Sequence, residues 1–495
     1  MRVLTVDVGT SRGKAALYDD QLHANQLVSL PTEGVLPDGA VDLARLLRFV
    51  FQLIRAAMDT VNADASPDVI AVTTIYGHVF LDADYQPVGS GLAWNHNGAV
   101  DYVESVTEAY AHVGADPGRP IGAEHLAPRL LWLMHEFPGL FQRIQWVTGI
   151  KDYLVWALTG VLCTDYSQHD YAVLDEAVAT RVIGSHPPWR RRDAAGATAL
   201  LPAPEAAHRV VGTLQPSVAA ATNLTEGIPV VCGTSDGSAA MYGTGVLASS
   251  TIGAVTGSTD VLMTCVAQHS WNELREDVPV HTLAGLSRNR AMVGDDRLLV
   301  GGSTGTSGAA IRWVDELTGS DRVGLRPWTA VDPGSDGLFV APGLSGERAP
   351  FFTGASAQIR GITSNHDGAA IARAVREAVC YRFAAMVSGL APLWAQTHRR
   401  VVAGGGQSDP TLDRLRATVT PCEFARADDP QSSLRGSAMF AVAALESDRR
   451  AADAALIDLS QAVANQATLV SPDPAQVDRY RKLTGDWIIR MRELT

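Results

Sequence analysis

Residues 1–20 read MRVLTVDVGTSRGKAALYDD. An apolar run starting at Val3 ends in Asp7, a Gly-Thr-Ser turn follows at Gly9–Ser11, and a second apolar run follows. This is the pattern of strand, turn, strand. Asp7, Thr10, Ser11 and Lys14 crowd its tip. A Walker A loop requires G-x-x-x-x-G-K-[ST]. Gly9–Lys14 reads GTSRGK with Ala15 after it, one residue short and without the magnesium-binding hydroxyl. A P-loop is therefore excluded. A tight turn still suits a phosphate, because successive backbone N–H groups form a concave anion site and Thr10 and Ser11 add hydroxyl donors. Asp7, at the strand end, is placed to meet a hydrated magnesium ion, which takes carboxylate and phosphate oxygens. The alternative is an ordinary hairpin with Asp7 capping the turn.

The same theme returns at residues 249–267, SSTIGAVTGSTDVLMTCVA, with Gly257-Ser258-Thr259 as its turn. Two such units predict two domains of related architecture, 1–245 and 246–495, in an α/β protein. Apolar spacing near 3.6 predicts helices over 41–61, 306–318 and 368–389. A helix broken at Pro138 is expected over 125–144, and a shorter one ending at Gly160. DVIAVTTIYGHVFLD reads as two strands split around Tyr76-Gly77. Residues 184–204, rich in Pro, Arg and Ala, read as an exposed loop or a poorly formed helix. Trp487, Ile488 and Ile489 are expected in the core of a terminal helix.

The chain has 495 residues, 46% of them hydrophobic and 19% charged, as expected of a globular protein with more than one core. A net charge of −13 argues against nucleic acid and anionic membranes as partners. No apolar stretch is long enough to span a membrane, and the opening strand lacks the layout of a signal peptide, so a cytoplasmic location is expected. The five cysteines form no CxxC pair and read as reduced thiols.

Two further stretches carry chemistry. AGGGQSDP, residues 403–410, follows a buried strand, and its glycines let the backbone approach a flat ligand closely. In GTSDGSAA, residues 233–240, Asp236 falls between a buried strand and a small-residue helix. There it serves either as a general base for a hydroxyl nucleophile or as a helix N-cap.

Taken in order, DVGTSRGKAALYD, CGTSDGSAA, TGSTDVL, GLSGERAPFF and AGGGQSDP resemble the FGGY family of carbohydrate kinases, and the resemblance runs from residue 1 to about 445. It implies an α/β fold of two actin-like, ribonuclease-H-like domains flanking an ATP and sugar cleft. The N-terminal domain would hold the sugar and the base, and the C-terminal domain the nucleotide. It implies ATP and Mg²⁺ as co-substrate and cofactor, with Asp236 as general base and Asp7 and Asp236 near the metal. Thr10, Ser11, Lys14, Gly257, Ser258 and Thr259 would face phosphates. Gly404, Gly405, Gly406, Gln407 and Asp409 would border the adenosine. Where xylulokinase-like members carry Met-His-Gly, this chain has Ile75-Tyr76-Gly77, with His78 adjacent. Where the family carries Trp-x-Asp-x-Arg, it has Trp94-Asn95-His96-Asn97. The resemblance thus implies a sugar kinase, most simply for a ketopentose such as D-xylulose. Alternatives are gluconate, polyols or another ketose, or an inactive sugar sensor. Family members are often dimers, so a homodimer is one expectation. Glu347 and Arg348 of GERAPFF read as a structural ion pair.

Overall fold

The computed structural model describes residues 1–494 except 36, 60–65, 118, 173, 185–199, 278–285, 320–324, 345, 352–355, 394–398 and 407–408. Most of the segment 184–204, expected as a loop or a poorly formed helix, lies outside the described residues. By contact the chain divides into two units. Met1–Gly243 groups with Asn289–Asp295 and Ser433–Leu459; Thr244–Arg288 groups with Asp296–Ser432 and Ser460–Thr495. The change of unit after residue 243 falls next to the expected boundary at 245, and the chain then re-enters the first unit twice.

The first unit is built on the strand Val3–Val8, whose six residues are all buried, as an apolar run in mid-sheet requires. It pairs antiparallel with Arg12–Tyr18, which pairs antiparallel with Ala24–Pro31. The helix Leu43–Met58, capped by the Asp42 carboxylate on the Arg45 N–H, then carries the chain to Val69–Thr74, parallel to the first strand. Leu46, Phe49, Val50, Leu53, Ile54 and Ala57 recur at helical spacing and form its buried face. Each large side chain among them gains about 1.5–3 kcal/mol on leaving water. Pro229–Val231 and Val210–Thr213 complete a six-stranded mixed sheet. A four-stranded antiparallel sheet includes Gly77–Leu81, so the chain does split into two strands around Tyr76. The helix Leu126–Glu136 stops before Pro138, and Ile150–Thr159 stops at Gly160, as the sequence predicts.

The second unit repeats the scheme. Thr251–Thr256 pairs antiparallel with Asp260–Ala267, which pairs antiparallel with Arg297–Ser303. The helix Gly368–Leu390, most of it buried, precedes Arg400–Gly404, which runs parallel to Thr251–Thr256 and to Glu423–Arg426. In both units the first strand lies between its antiparallel hairpin partner and a parallel strand reached through a helix, within sheets of six and seven strands. The protein is thus α/β, with two mixed sheets of matching core topology.

Two expectations in the second unit need correction. Glu347 pairs with the fully buried Arg382, while Arg348 is exposed. The adjacent arginine points the wrong way, and the partner comes from the long helix. In the terminal helix Val477–Arg492, Trp487 is buried and donates its indole N–H to the Val340 carbonyl at 2.8 Å, but Ile489 is exposed.

Candidate active site

In the first unit, three parallel strand ends lie side by side. Val8 is in register with Thr74, and Thr74 bridges to Ser235. The segments that follow them, the Gly9–Ser11 turn, Ile75-Tyr76 and Asp236, therefore leave the sheet at one edge. In open α/β sheets that edge, at the carboxyl ends of the strands, is where ligands bind.

Asp7 lies just inside this edge and is buried. Lys14 is not at the hairpin tip but directly opposite Asp7 in the ladder. Thr10 and Ser11 form the exposed tip, closed by the Gly9 N–H on the Arg12 carbonyl at 3.1 Å. Asp7 Oδ2 accepts from the Ser433 hydroxyl at 2.6 Å, while Asp7 Oδ1 is buried without a hydrogen-bond partner. Burial raises its pKa above the usual carboxylate value against the lowering effects of Ser433 and Lys14.

Asp236 is the first residue of the helix Asp236–Tyr242, with Ser235 at the N-cap position. Its Oδ1 accepts from the Gly237 N–H at 2.6 Å. Although partly exposed at its surface, it is pushed up to about 7, first by burial and then by the charge of Asp7, with the Gly237 N–H opposing. A carboxyl group poised there can take a proton near neutral pH.

Residues that sequence reading missed hold Asp236 in place. Lys151 forms ion pairs with Asp152 and Asp165 and donates to the Cys232 carbonyl at 2.9 Å. Asp165 in turn accepts from Thr234 and Ser167 at 2.7 Å. The loop that delivers Asp236 is therefore anchored from behind by a buried charge network. The helix Ser432–Ala443 supports it from another side. The Arg435 guanidinium donates to the Gly243 carbonyl, at the C-terminal end of the Asp236 helix. A Cβ at Gly436 would stand 1.8 Å from the Ala239 carbonyl oxygen, so only glycine permits that approach. The KD of GIKDYLVW and the RGS of LRGSAMF were the only local signals.

Of the stretch that aligns with the family's Met-His-Gly, Tyr76 is half-buried, and the adjacent His78 is fully buried. Tyr76 Oη lies 3.1 Å from His78 Nε2, and His78 Nδ1 lies 3.1 Å from Arg129 Nη1. The Tyr76 ring meets Tyr171 edge-on at 4.5 Å, and the Arg119 guanidinium lies 4.4 Å over the Tyr171 ring. Ile75 belongs to the hydrophobic core, and Gly77 is a buried strand residue whose carbonyl accepts from Gln168. Trp94 and Asn95 are exposed, and the Trp94 N–H donates to the Tyr76 carbonyl at 2.8 Å. His96 packs against Trp132.

In the second unit, Gly257, Ser258 and Thr259 form the turn, closed by the Gly257 N–H on the Thr259 carbonyl at 3.0 Å. The start of the helix Gly308–Thr318 docks on it: the N–H groups of Ser307 and Gly308 donate to the carbonyls of Ser258 and Gly257. Arg312 of that helix, a residue not foreseen, donates to Ser258 Oγ at 2.9 Å. Gly405 and Gly406 have φ of 70° and 63°, and a Cβ on Gly406 would stand 2.0 Å from the Thr256 carbonyl oxygen. The glycine turn thus presses against the strand end that leads into Gly257, bringing the two predicted nucleotide stretches together. Gly404 ends its strand, Asp409 caps the helix Pro410–Val419 through the N–H groups of Thr411 and Leu412, and Gln407 lies outside the described residues. Asp260 accepts from Ser307 at 2.6 Å and pairs with the buried Arg416, an anchor for the turn.

Comparison with known proteins decides the lineage. The N-terminal domain of the FGGY family of carbohydrate kinases matches residues 2–174, and its C-terminal domain matches residues 254–445. This chain belongs to the FGGY family of carbohydrate kinases. It is a phosphotransferase of sugar metabolism. This FGGY kinase is 25% identical to the xylulose kinase of Bacillus subtilis, covering 74% of this chain and 72% of that protein. It is 22% identical to the gluconokinase of Bacillus licheniformis, covering 88% and 86%. Among solved structures, the ligand-bound xylulose kinase from Lactobacillus acidophilus matches the FGGY kinase with a TM-score of 0.81 at 21% identity, over 100% of this chain and 98% of the other. The Plasmodium falciparum glycerol kinase with ADP matches with a TM-score of 0.77 at 15% identity, over 99% and 98%. Among the described residues of the FGGY kinase, no helix is long and apolar enough to cross a membrane.

Proposed function

We propose that this kinase transfers the γ-phosphoryl group of ATP to a hydroxyl of a small sugar, a ketopentose such as D-xylulose. The observation that carries the reading is Asp236, held near neutrality beside Asp7. Asp236 accepts the proton of the sugar hydroxyl as that oxygen bonds to the γ-phosphorus in line and the bond to ADP breaks. We assign phosphate binding to Thr10, Ser11 and Lys14 and to Gly257, Ser258 and Thr259, with Arg312 beside Ser258 as a further cation. Gly404, Gly405 and Gly406 are assigned to the adenosine; Asp409, whose carboxylate caps a helix, contributes through that helix start.

Magnesium fits the residues present. Asp7 Oδ1 is buried with no partner, an acceptor in want of a cation, and Asp236 is the second carboxylate of the pair. Mg²⁺ bound through one or two carboxylates and phosphate oxygens would neutralise charge on the transferring group.

A second reading is phosphorylation of a sugar acid such as gluconate. Arg129 and Arg119 act electrostatically on Tyr76 against the single carboxylate of Glu124, and this surplus of cationic groups favours an anionic sugar. ADP release with Mg-ATP across D-xylulose, other ketopentoses, gluconate, polyols and glycerol separates these readings. Turnover with one acceptor, abolished in Asp236→Ala, supports the proposal. Turnover that survives in Asp236→Ala removes Asp236 from the role of base.

A further inference from the structure

The chain from Arg129 to Tyr76 fixes where protons sit. Arg129 is fully buried, and three carbonyls receive its donors: Leu92 and Ala93 from the two terminal nitrogens and Ala123 from Nε. A guanidinium has five donors and no acceptor. Burial lowers its pKa only to about 10, so it remains charged. His78 Nδ1, 3.1 Å from Arg129 Nη1, must therefore accept. Burial, and then the charges of Arg129 and His125, keep the imidazole neutral. With Nδ1 accepting, the single ring proton stands on Nε2, 3.1 Å from Tyr76 Oη. That hydroxyl must accept from His78, and its own hydrogen is directed elsewhere. Tyr76 stands at the sheet edge shared with Asp7 and Asp236, and it is the half-buried end of an otherwise buried relay.

We propose that Arg129 and His78 are positioning residues that commit the Tyr76 hydroxyl to donating outward, so that the site selects a sugar presenting an unprotonated acceptor oxygen there. That oxygen is a ketose carbonyl or an aldonate carboxylate. A polyol hydroxyl at the same point brings a hydrogen of its own that needs a further acceptor. The inference rests on reading this sheet edge as the sugar site. It goes beyond that reading by giving the edge a polarity.

The test measures binding rather than turnover, so that it is separate from the kinase assay. Calorimetric titration of the full chain compares D-xylulose with xylitol and gluconate with D-glucitol. Each pair exchanges an acceptor oxygen for a hydroxyl-bearing carbon, and the tighter of the two acceptor sugars identifies the source. Wild type is expected to prefer the acceptor sugar by about tenfold or more. Tyr76→Phe, which keeps the ring against Tyr171, is expected to erase that preference, and His78→Gln to weaken it. A loosened pocket would instead weaken both members of a pair alike. Equal affinity for sugar and polyol in wild type, an unchanged ratio in Tyr76→Phe, or no binding of either acceptor sugar overturns the proposal. A preference that stands without any ADP release leaves it in place and removes the proposed transfer to these sugars. A second measurement needs no variant: the ¹⁵N spectrum of histidine-labelled protein should show His78 as the neutral Nε2–H tautomer. The Nδ1–H tautomer or an imidazolium would refute the relay.

Discussion

Asp236 and Asp7 share one sheet edge; burial makes each harder to ionise, and the charge of Asp7 adds to the effect on Asp236. The consequence for rate and for stability has opposite signs. As the proposed base, Asp236 must be deprotonated, so kcat/KM should fall about tenfold for each pH unit below about 7. For stability, the folded state keeps the Asp236 proton up to about 7, whereas an ordinary aspartate loses it near 3.8. Between those values the native state binds more protons than the unfolded one, so this group's contribution to stability declines as pH rises. Asp236→Asn should therefore raise the melting temperature relative to wild type at pH 8, with the difference vanishing towards pH 4; thermal scans at both values check it. Lys151 behaves differently. Although burial disfavours its charge, Asp152 and the other neighbours raise its pKa well above the usual lysine value, so it stays cationic. Lys151→Met leaves Asp152 and Asp165 buried without their cation and should cost about 3–5 kcal/mol in urea unfolding. Asp7 and Asp236 were legible in the sequence because turn glycines and small residues mark their loops locally. Ser433, Lys151 and Arg129 were not, because their roles depend on partners far along the chain.

Among the elements, the helix Ser432–Ala443 shows how a segment without chemistry of its own controls a site. Gly436 lets it lie against the Ala239 carbonyl, Arg435 holds the end of the Asp236 helix, and Ser433 reaches Asp7. Gly436→Ala must push the two helices apart. It should lower kcat at least tenfold, because a proposed base displaced by an ångström loses its alignment, with a far-UV circular dichroism spectrum expected to stay near that of the wild type. An unchanged kcat would mean that the Asp236 helix is placed by the Lys151 network alone. The two hairpins and several helices were readable from apolar runs, helical spacing and the breaks at Pro138 and Gly160, all local signals. Lys14 was misread as a tip residue because a turn's length does not reveal its register, and Glu347 found its partner in the long helix rather than in its neighbour.

Over the whole molecule, the repeated strand–turn–strand motif predicts two domains of related architecture, and each of the two units contains a mixed sheet built on such a hairpin. What the linear sequence concealed is that the units are not consecutive. Residues 433–459 belong with the first unit, and with them come Ser433, Arg435 and Gly436. A fragment ending at residue 245 should therefore fail to fold: Asp7 loses its Ser433 hydrogen bond, and the surfaces covered by the returning helices are left bare. Expression of residues 1–245 is expected to give aggregated protein or a species without cooperative unfolding; a soluble fragment with a sharp melting transition would contradict this. The return of the chain also sets a timetable on the ribosome. At about 5–20 residues per second, the stretch from residue 243 to residue 459 takes on the order of ten to forty seconds to synthesise. Throughout that interval the first-made sheet waits, incomplete, for its last helix, and a chaperone that shields it meanwhile would govern the yield of active enzyme.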